Sequence, residues 1–345
     1  MKLAISVGAI DKDNLESVTD FVVHAENLGV DYVWSHEAWG TEAVSPLAYL
    51  AAKTHRIRLG TGIIQISTRT PTMIAMTALT LDTLSQGRFI LGLGASGPQV
   101  IEGLHGSAYS GALTRLKETV EIVRMALRGE KIVYRGVYHE LPRPGGEGKS
   151  LRLDFAPRPE LPIFLATLGP RALQYTGAAA DGWLGTSFSP EHAAAHLDYI
   201  RQGANEAGRS LSDIDLQVAC HVSIGEDVDR LISERKAAVA FSLGAMGSAK
   251  TNFYNDAYRR AGYDEDAKAV QALWLAGQRD AARARVPDEL VTLFGAVGTP
   301  AMIRERFQAY KNAGVNCLYL RFEGTGDAEK YGVLEQVCEM VAALD

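Results

Sequence analysis

The sequence predicts an α/β fold of the (β/α)8 TIM-barrel class with insertions, on three observations. Eight short apolar runs alternate along the chain with stretches whose apolar residues recur at helical spacing. That alternation is typical of parallel strands connected by helices, and 345 residues suffice for one elaborated barrel. Glycine-rich or small-residue turns follow the third and fourth strands, at the end of a barrel where ligands bind.

The eight predicted strands are short runs rich in apolar and β-branched residues. They cover residues 3–8, 31–35, 58–66, 88–93, 162–166, 182–184, 216–222 and 316–322. The predicted helices cover residues 14–28, 46–53, 72–85, 113–127, 190–207, 300–313 and 327–343, and another begins at residue 170. Gly29 and Gly87 follow two of these helices, where a left-handed stop is expected, and Pro170 suits a first helical turn.

Three stretches lie outside this alternation. Residues 131–140 are typical of a hairpin, and the Pro- and Gly-rich residues 141–162 are too polar for a core. Residues 227–293 contain several helices with no strand between them, which predicts an insertion before the last strand–helix pair. The whole chain, residues 1–345, is therefore predicted to be a single barrel domain that carries this insertion.

Composition excludes several classes of function. The chain has 41 acidic and 35 basic residues, a formal net charge of −6, so the basic surface of a nucleic-acid-binding protein is not expected. No apolar run approaches the roughly 20 residues that span a bilayer, and the first residues lack the apolar core of a signal peptide. Cys220, Cys317 and Cys338 are widely spaced in apolar runs, which favours free thiols and a cytoplasmic location.

The stretch from residue 58 to residue 106 carries the most information. It is predicted as strand, helix and strand, with small-residue turns at residues 60–62 and 92–97. The second turn has the spacing of a dinucleotide-binding GxGxxG motif. That motif, however, follows the first strand of its fold and is followed by an acid about 20 residues further on. The position of the turn in this chain therefore argues against dinucleotide binding.

Four segments carry a resemblance to a known family: RLGTGI, RTP, LDTLSQGRFILGLGASGPQVIEGLHG and ADGWL. They are similar to the bacterial-luciferase-like superfamily of (β/α)8 barrels. Within it, the SGPQVIEG block most resembles the deazaflavin-dependent branch, whose best-known member is methylenetetrahydromethanopterin reductase. The resemblance implies an oxidoreductase that uses the 8-hydroxy-5-deazaflavin coenzyme F-420 (F420 below), and it implies a homodimer.

The resemblance also implies a cofactor site at the strand ends. The peptide bond between Gly62 and Ile63 is expected to be cis and to press against the back of the deazaflavin ring, while the turns after strands four, five and six approach the rest of the cofactor. The expected cofactor-binding residues are Gly62, Ile63, Ile64, Ala95, Ser96, Gly97, Ala166, Thr167, Leu168, Gly169 and Thr186. Without the resemblance, these turns are also explained as tight strand exits or helix starts.

The exit of strand two, residues 35–40, combines polar and aromatic side chains. Several relatives have an acid followed directly by a histidine here, and in this chain the acid falls on Glu37 and the histidine position on Ala38. Glu37 is the predicted catalytic residue, a carboxylate that hydrogen-bonds the cofactor or relays a proton. The alternative for Glu37 is an ion pair with an arginine. His36 and Trp39 are the predicted substrate-binding residues.

Other polar residues have competing explanations. Glu102 and His105 could form half of a metal site, but no second pair lies nearby in the sequence, so no metal is expected. His221 and Arg321 lie in apolar strands near the cofactor end of the barrel. A buried arginine needs an anionic partner, which a structural ion pair with Glu323 would supply.

Three functions remain open. The first is hydride transfer between F420 and a small organic substrate, in a cavity shaped by residues 141–162 and 227–293. The second keeps the fold but uses FMN and oxygen, as the flavin monooxygenases of this superfamily do, and the missing acid–histidine pair disfavours it. The third is a non-catalytic cofactor-binding protein, suggested by Ala38 and Pro98. Pro98 also stands near the place where sugar-phosphate-oxidising relatives have a glutamate, which disfavours that substrate class.

Overall fold

The computed structural model describes residues 1–247, 251–322 and 327–344. Its strands are β1 (Lys2–Val7), β2 (Tyr32–Ser35), β3 (Arg58–Thr61), β4 (Ile64–Gln65), β5 (Phe89–Gly94), β6 (Tyr134–Arg135), β7 (Glu140–Leu141), β8 (Ile163–Ala166), β9 (Gly182–Gly185), β10 (Asp215–Ile224), β11 (Ala296–Gly298) and β12 (Cys317–Arg321). Its α-helices are α1 (Leu15–Asn27), α2 (Val44–Ala51), α3 (Pro71–Leu84), α4 (Pro98–Ile101), α5 (Ala112–Leu127), α6 (Pro170–Ala179), α7 (Ala194–Glu206), α8 (Val228–Gly244), α9 (Phe253–Arg260), α10 (Asp264–Leu275), α11 (Arg279–Ala284), α12 (Asp288–Thr292), α13 (Pro300–Asn312) and α14 (Asp327–Ala342).

The chain divides into two compact units, which are described one at a time. The N-terminal unit consists of residues 7–19 and 32–166, and the C-terminal unit consists of residues 1–6, 20–31 and 167 onward. Each unit contains four of the eight parallel strands that alternate with helices along the chain. This alternation of eight strands and their helices is that of a (β/α)8 barrel, so the predicted fold class is confirmed. The prediction of a single domain over residues 1–345 stays a prediction.

The sheet of the N-terminal unit has the order β2, β3, β5, β8, with β4 paired to β5. All its pairings are parallel, and β2 and β5 are buried along their whole length. Burial on both faces is typical of parallel strands covered by helices, and it explains why apolar residues follow one another in these strands rather than occupying every second position. Helix α3 begins sharply because Thr70 accepts a hydrogen bond from the Met73 amide and Pro71 occupies the first turn.

The sheet of the C-terminal unit has the order β9, β10, β12, β1, again with parallel pairings, and β11 lies beside β10. Two of its helices, α6 and α7, pack with backbone against backbone. A Cβ atom on Gly177 would lie 1.9 Å from the carbonyl oxygen of Ile200, and one on Gly203 would lie 1.8 Å from that of Gln174. Only glycine fits either position, so this helix pair depends on both residues.

The predicted elements are borne out with two main differences. The predicted strand over residues 58–66 is two strands, β3 and β4, separated at Gly62–Ile63. Strand β11 was not predicted, since three residues carry too short a pattern. Within the described part of residues 227–293 the structure has helices α8 to α12 and no strand, as predicted. Residues 131–140 contain the predicted hairpin, whose short strands β6 and β7 pair antiparallel. No helix of the described ranges is long and apolar enough to cross a membrane.

The β6–β7 hairpin is attached to α5 by one buried carboxylate. Glu118 accepts hydrogen bonds from three consecutive backbone amides, at 2.6 Å from Val137, 3.0 Å from Tyr138 and 2.9 Å from His139. Gly136 is needed beside it, because a Cβ atom there would lie 2.5 Å from the carboxyl carbon.

Replacing Glu118 with alanine is expected to release this hairpin. Three amides lose their acceptor, and because the tip of the hairpin is exposed to water we expect a loss of about 1–3 kcal/mol in the free energy of unfolding. Denaturant midpoints and proteolysis at residues 131–141 measure it. Glu121→Ala is the control, since Glu121 lies on the same helix and reaches the same hairpin only at the exposed surface of the described structure, where it accepts a hydrogen bond from the Tyr134 hydroxyl of β6. Equal effects of the two variants would contradict the role of Glu118.

Candidate functional site

Glu37 follows β2 in the N-terminal unit and is held by three donors. Its Oε1 accepts hydrogen bonds from Arg69 Nη1 at 2.6 Å and from the Gln65 amide at 3.1 Å, and its Oε2 accepts one from the Ala43 amide at 3.2 Å. The Glu37 side chain is 9% exposed and that of Arg69 22%. The structure thus brings Glu37 together with the arginine of the RTP motif, as the ion-pair alternative expected. A direct catalytic role of Glu37 stays a prediction.

Arg69 joins this pair to a second acid. Its Nη2 lies 3.3 Å from Glu42, whose carboxylate also accepts hydrogen bonds from the Val44 and Ser45 amides at the start of α2. Burial alone would raise the pKa of Glu42, but the hydrogen bonds of Ser45 and Val44 and the charge of Arg69 outweigh it, so the pKa lies below its usual value. Both acids therefore surround one guanidinium, and Glu42 is ionised at neutral pH.

Gln65 is a buried residue that the sequence analysis missed. Its Nε2 donates to the backbone carbonyl of Glu37 at 3.0 Å. Because a carbonyl oxygen can only accept, the amide nitrogen must face it, and Oε1 must point the other way. Oε1 is buried, and no group in residues 1–247, 251–322 or 327–344 donates to it. A buried acceptor with no donor is unusual, and it suits a ligand that brings an N–H or O–H group. The sequence did contain one signal for this residue, since Gln65 is a polar side chain within an otherwise apolar predicted strand.

Small residues meet at the ends of β3, β5 and β8. The peptide bond between Gly62 and Ile63 is cis, as the resemblance implied. Ile64 pairs with Leu93 in the short strand β4. A Cβ atom on Gly94 would lie 2.4 Å from Ile63 Cδ1 and 3.3 Å from the Ala166 carbonyl oxygen. The structure thus brings together Gly62, Ile63, Ile64 and Ala166. Position 94 must be glycine in this arrangement, because a side chain there would collide with Ile63.

The loop after β5 is held in an unusual conformation. Ser96 has a φ of 58°, in the left-handed region that non-glycine residues rarely adopt. The Tyr109 hydroxyl donates to the Ser96 carbonyl at 2.9 Å, and the Tyr109 amide donates to Glu102 at 3.2 Å. Glu102 therefore fastens this loop, which carries Ala95, Ser96 and Gly97. The described residues contain no cluster of three or more histidine, cysteine, aspartate or glutamate side chains that could hold a metal.

Removal of the Tyr109 hydroxyl is expected to loosen this loop. Tyr109→Phe should cost about 1 kcal/mol locally, and so speed hydrogen exchange of the amides in residues 96–111 by about fivefold. Glycine adopts a φ of 58° without strain, so the effect should be smaller when Tyr109→Phe is made together with Ser96→Gly. An equal effect in both backgrounds would show that Tyr109 does not act through the Ser96 backbone.

A cavity of about 370 Å3 opens beside Glu37 in the N-terminal unit. Trp39 and Leu104, which are 68% and 57% exposed, contribute its apolar surface, and Arg69 and His105 contribute polar groups. The full lining consists of Glu37, Ala38, Trp39, Gly40, Thr41, Glu42, Thr68, Arg69, Leu104 and His105. Trp39 thus lines a cavity, and its role in substrate binding stays a prediction. His36 is half-buried and does not line this cavity.

The remaining predicted cofactor residues lie in the C-terminal unit. The Thr167 hydroxyl is 2.7 Å from that of Thr176, and the Thr167 carbonyl accepts a hydrogen bond from the Trp183 indole at 2.9 Å. Gly169 caps the N-terminus of α6 without a side-chain acceptor. Thr186 directly follows β9. Thr167, Leu168 and Gly169 thus form one strand-exit loop, ordered by the tryptophan of the ADGWL segment.

His221, Arg321 and the cysteines show no catalytic arrangement in the described part of the chain. His221 and Arg321 are neighbours in the β10–β12 register, and His221 Nε2 lies 2.8 Å from the Ser223 hydroxyl. Glu323, the predicted partner of Arg321, lies outside the described residues. Burial raises the pKa of the Cys220 thiol to about 12 and that of Cys317 well above its usual value, so both are thiols rather than thiolates.

Comparison with known proteins identifies the family of this chain. The sequence profile of the family described as luciferase-like monooxygenase matches residues 3–317. The chain belongs to this family. A Mycobacterium tuberculosis protein, whose name assigns it provisionally to the coenzyme F420-dependent oxidoreductases, is 37% identical over 338 residues, 96% of each chain. The 5,10-methylenetetrahydromethanopterin reductase of Archaeoglobus fulgidus is 29% identical over 301 residues, 86% of each chain.

A solved structure extends the comparison to the fold. The coenzyme F420-dependent tetrahydromethanopterin reductase of Methanopyrus kandleri superimposes with a TM-score of 0.81 at 25% identity, covering 100% of this chain and 99% of that one. The similarity spans both units of the luciferase-like chain. It confirms the resemblance inferred from the RLGTGI and SGPQVIEG segments.

Proposed function

We propose that this luciferase-like protein is an F420-dependent oxidoreductase that transfers a hydride between the deazaflavin and a small organic substrate. The observation that carries the proposal is the similarity, over 96% of both chains, to a relative named for F420-dependent oxidation and reduction. When bound, the deazaflavin supplies the hydride donor or acceptor. The residues of the protein bind and orient the cofactor and the substrate, and they exclude water from the site. The proposal also takes over from the resemblance a homodimer in the cytoplasm, which light scattering and cell fractionation test.

The residues of the N-terminal unit fit a planar, uncharged ring with hydrogen-bond donors. Gly62 and Ala166 are small, half-buried residues at neighbouring strand ends, and the Gln65 Oε1 atom is a buried acceptor without a donor among the described residues. In this proposal Gly62, Ile63 and Ile64 support the ring. The loops Ala95–Gly97 and Ala166–Gly169, with Thr186, hold the rest of the cofactor.

Glu37 and Arg69 act mainly on Gln65 in this proposal. Glu37 fixes Gln65 through both its backbone amide and its side-chain amide, and Arg69 in turn fixes Glu37. The acceptor that meets the cofactor is thereby positioned before the cofactor arrives, which lowers the entropy lost on binding. Trp39 bounds the substrate cavity, and His36 remains a predicted substrate-binding residue. Glu37 as a proton relay remains the alternative role.

The second candidate function is an FMN-dependent monooxygenase, and the family's description as luciferase-like monooxygenase favours it. Anaerobic and aerobic turnover separate the two. In the absence of oxygen, we expect at least one of a panel of small carbonyl, imine and enone compounds to oxidise reduced F420. Alternatively, an alcohol should reduce oxidised F420. Oxygen consumption with reduced FMN, and no anaerobic reaction with F420, would contradict the proposal. Binding of F420 without turnover of any panel member would favour the non-catalytic alternative.

A further inference from the structure

The C-terminal unit contains a partly buried cation, Arg260, that forms no ion pair with a carboxylate of the described residues. Asp256, on the same helix, acts on it only as a nearby charge and is itself paired with Arg259. Arg260 ends α9, and its Nη2 donates to the carbonyl of Leu168 at 2.6 Å. Its Nε is buried without a hydrogen-bond partner, and no carboxylate in residues 1–247, 251–322 or 327–344 forms an ion pair with it. Arg306 of the same unit, by contrast, is paired with Glu191 at 2.5 Å. Because burying an unpaired charge is costly, Arg260 is suited to an anion that the chain itself does not supply.

The guanidinium borders a cavity of about 340 Å3. The lining residues are Ala194, Ala195, Asp198, Tyr199, Gln202 and Arg260, five of them on α7. Asp198 is the one acid among them, and it is neutralised by Arg201 at 2.5 Å. Gln202 already bonds Gln174 and Glu206. Among the charged side chains that line this cavity, Arg260 is therefore the one without an ion-pair partner in the described residues. The Tyr199 hydroxyl is a second hydrogen-bond donor in the lining.

The carbonyl that Arg260 contacts belongs to the loop of Thr167, Leu168 and Gly169. This loop leads into the N-terminus of α6, whose dipole favours negative charge. Arg260 thus joins the inserted helix α9 to the strand-exit loop that leads into α6. Neither its charge nor its position was singled out by the sequence, in which it is one of 35 basic residues.

We propose that Arg260 and Tyr199 bind an anionic phosphate or carboxylate group in this cavity, and that the occupant is the anionic tail of F420. The assignment to F420 rests on the proposed function, whereas the anion site does not. An anionic group on the substrate is the other source of the same chemistry. The arginine contributes a charge-assisted hydrogen bond, which discriminates a charged ligand from an uncharged one of the same shape.

The test compares two forms of the cofactor. F420 and 8-hydroxy-5-deazariboflavin share the ring, but the second lacks the phosphate and the rest of the tail. We expect Arg260→Gln to weaken F420 binding about 10- to 100-fold and to leave binding of the tail-less form unchanged, with partial recovery in Arg260→Lys. Arg201→Gln is the control, since Arg201 lies on α7, the helix that lines the cavity, and is already paired with Asp198. Melting temperatures of all variants report whether they fold.

Inorganic phosphate supplies a readout that does not need the cofactor. It should raise the melting temperature of the wild type and of Arg201→Gln, but not that of Arg260→Gln. Unchanged F420 affinity together with unchanged phosphate stabilisation in Arg260→Gln would overturn the anion site. An Arg260-dependent phosphate effect with unchanged F420 affinity supports the site and assigns it to the substrate. If the wild type binds phosphate through Arg260 but does not bind F420, the proposed function fails and the anion site stands.

Discussion

Replacing Glu37 with alanine is expected to lower the free energy of unfolding by about 3–5 kcal/mol, the cost of removing one partner of a buried ion pair. The variant leaves Arg69 with the longer contacts to Glu42 and Thr68, and it leaves the Gln65 and Ala43 amides without their acceptor. Because the Arg69 side chain is 22% exposed and can reach water, the lower end of the range is expected. Denaturant unfolding of wild type and variant measures the difference.

Glu42→Ala is the matched control for this prediction. Glu42 binds the same arginine, but its side chain is 42% exposed, so we expect a loss of only about 1 kcal/mol, mostly from uncapping α2. Equal losses in the two variants would contradict the view that Glu37 organises the strand-two exit. In that case the contacts of Arg69, rather than the burial of Glu37, would decide the stability of this region.

Glu37→Gln distinguishes positioning from direct proton transfer. A glutamine places an NH2 group where the protein offers only donors, so Gln65 should move and F420 binding and turnover should fall together. If stability and F420 affinity stay as in wild type while turnover is lost, Glu37 acts directly on the reacting groups. Steady-state kinetics with the dissociation constant of F420 separate these two outcomes.

Acid should destabilise the C-terminal unit through one buried histidine. His196 is 1% exposed, its ring centroid lies 5.5 Å from that of Trp183 and 5.8 Å from that of Phe188, and neither ring nitrogen has a partner in the described structure. Burial, together with the charge of Arg260, lowers the pKa of His196 to about 3. The imidazole is therefore neutral in the fold, whereas in the unfolded chain it takes up a proton below its ordinary pKa of 6.5.

The folded pKa is the lower one, so the unfolded state binds more protons between pH 6.5 and pH 3, and stability falls as the pH falls through this range. We expect this group alone to cost on the order of 3–5 kcal/mol between pH 7 and pH 3. His196→Phe should remove that dependence and be as stable as wild type or more so at pH 7, because it replaces two unpaired nitrogens by carbon.

Unfolding curves of wild type, His196→Phe and His196→Gln at several pH values measure this effect. Glutamine does not titrate but keeps polar atoms in an apolar site, so it should flatten the pH dependence while losing stability at pH 7. A dependence between pH 7 and pH 3 that is as steep in both variants as in wild type would refute the role of His196.

Much of the fold could be predicted because its signals are local. Strand β5 and helix α3 each carry their own periodicity, their own caps and a small-residue turn, and the structure places both within a residue of the predicted bounds. Strand β11 could not be predicted, because its three residues become a strand only through pairing with β10, about 70 residues earlier in the chain. The break of residues 58–66 into β3 and β4 was likewise not visible as a change of composition.

The candidate site was less predictable, because its key contacts join residues distant in sequence. Glu37 could be singled out from its place after a barrel strand, but its partner Arg69 lies 32 residues further on and could not be identified from spacing. Gln65 looked like part of a strand until the geometry showed which way its amide faces. Arg260 could be singled out only from its contact with Leu168, 92 residues earlier, and from its lack of an ion pair among the described residues.

The most direct test of the account is a binding titration of the purified protein with F420 and, separately, with FMN, followed by cofactor fluorescence. The account predicts that F420 binds at least about tenfold more tightly than FMN, and that Glu37→Gln weakens the binding of F420. Tighter binding of FMN than of F420 would contradict it and would place the protein with the flavin monooxygenases of its family.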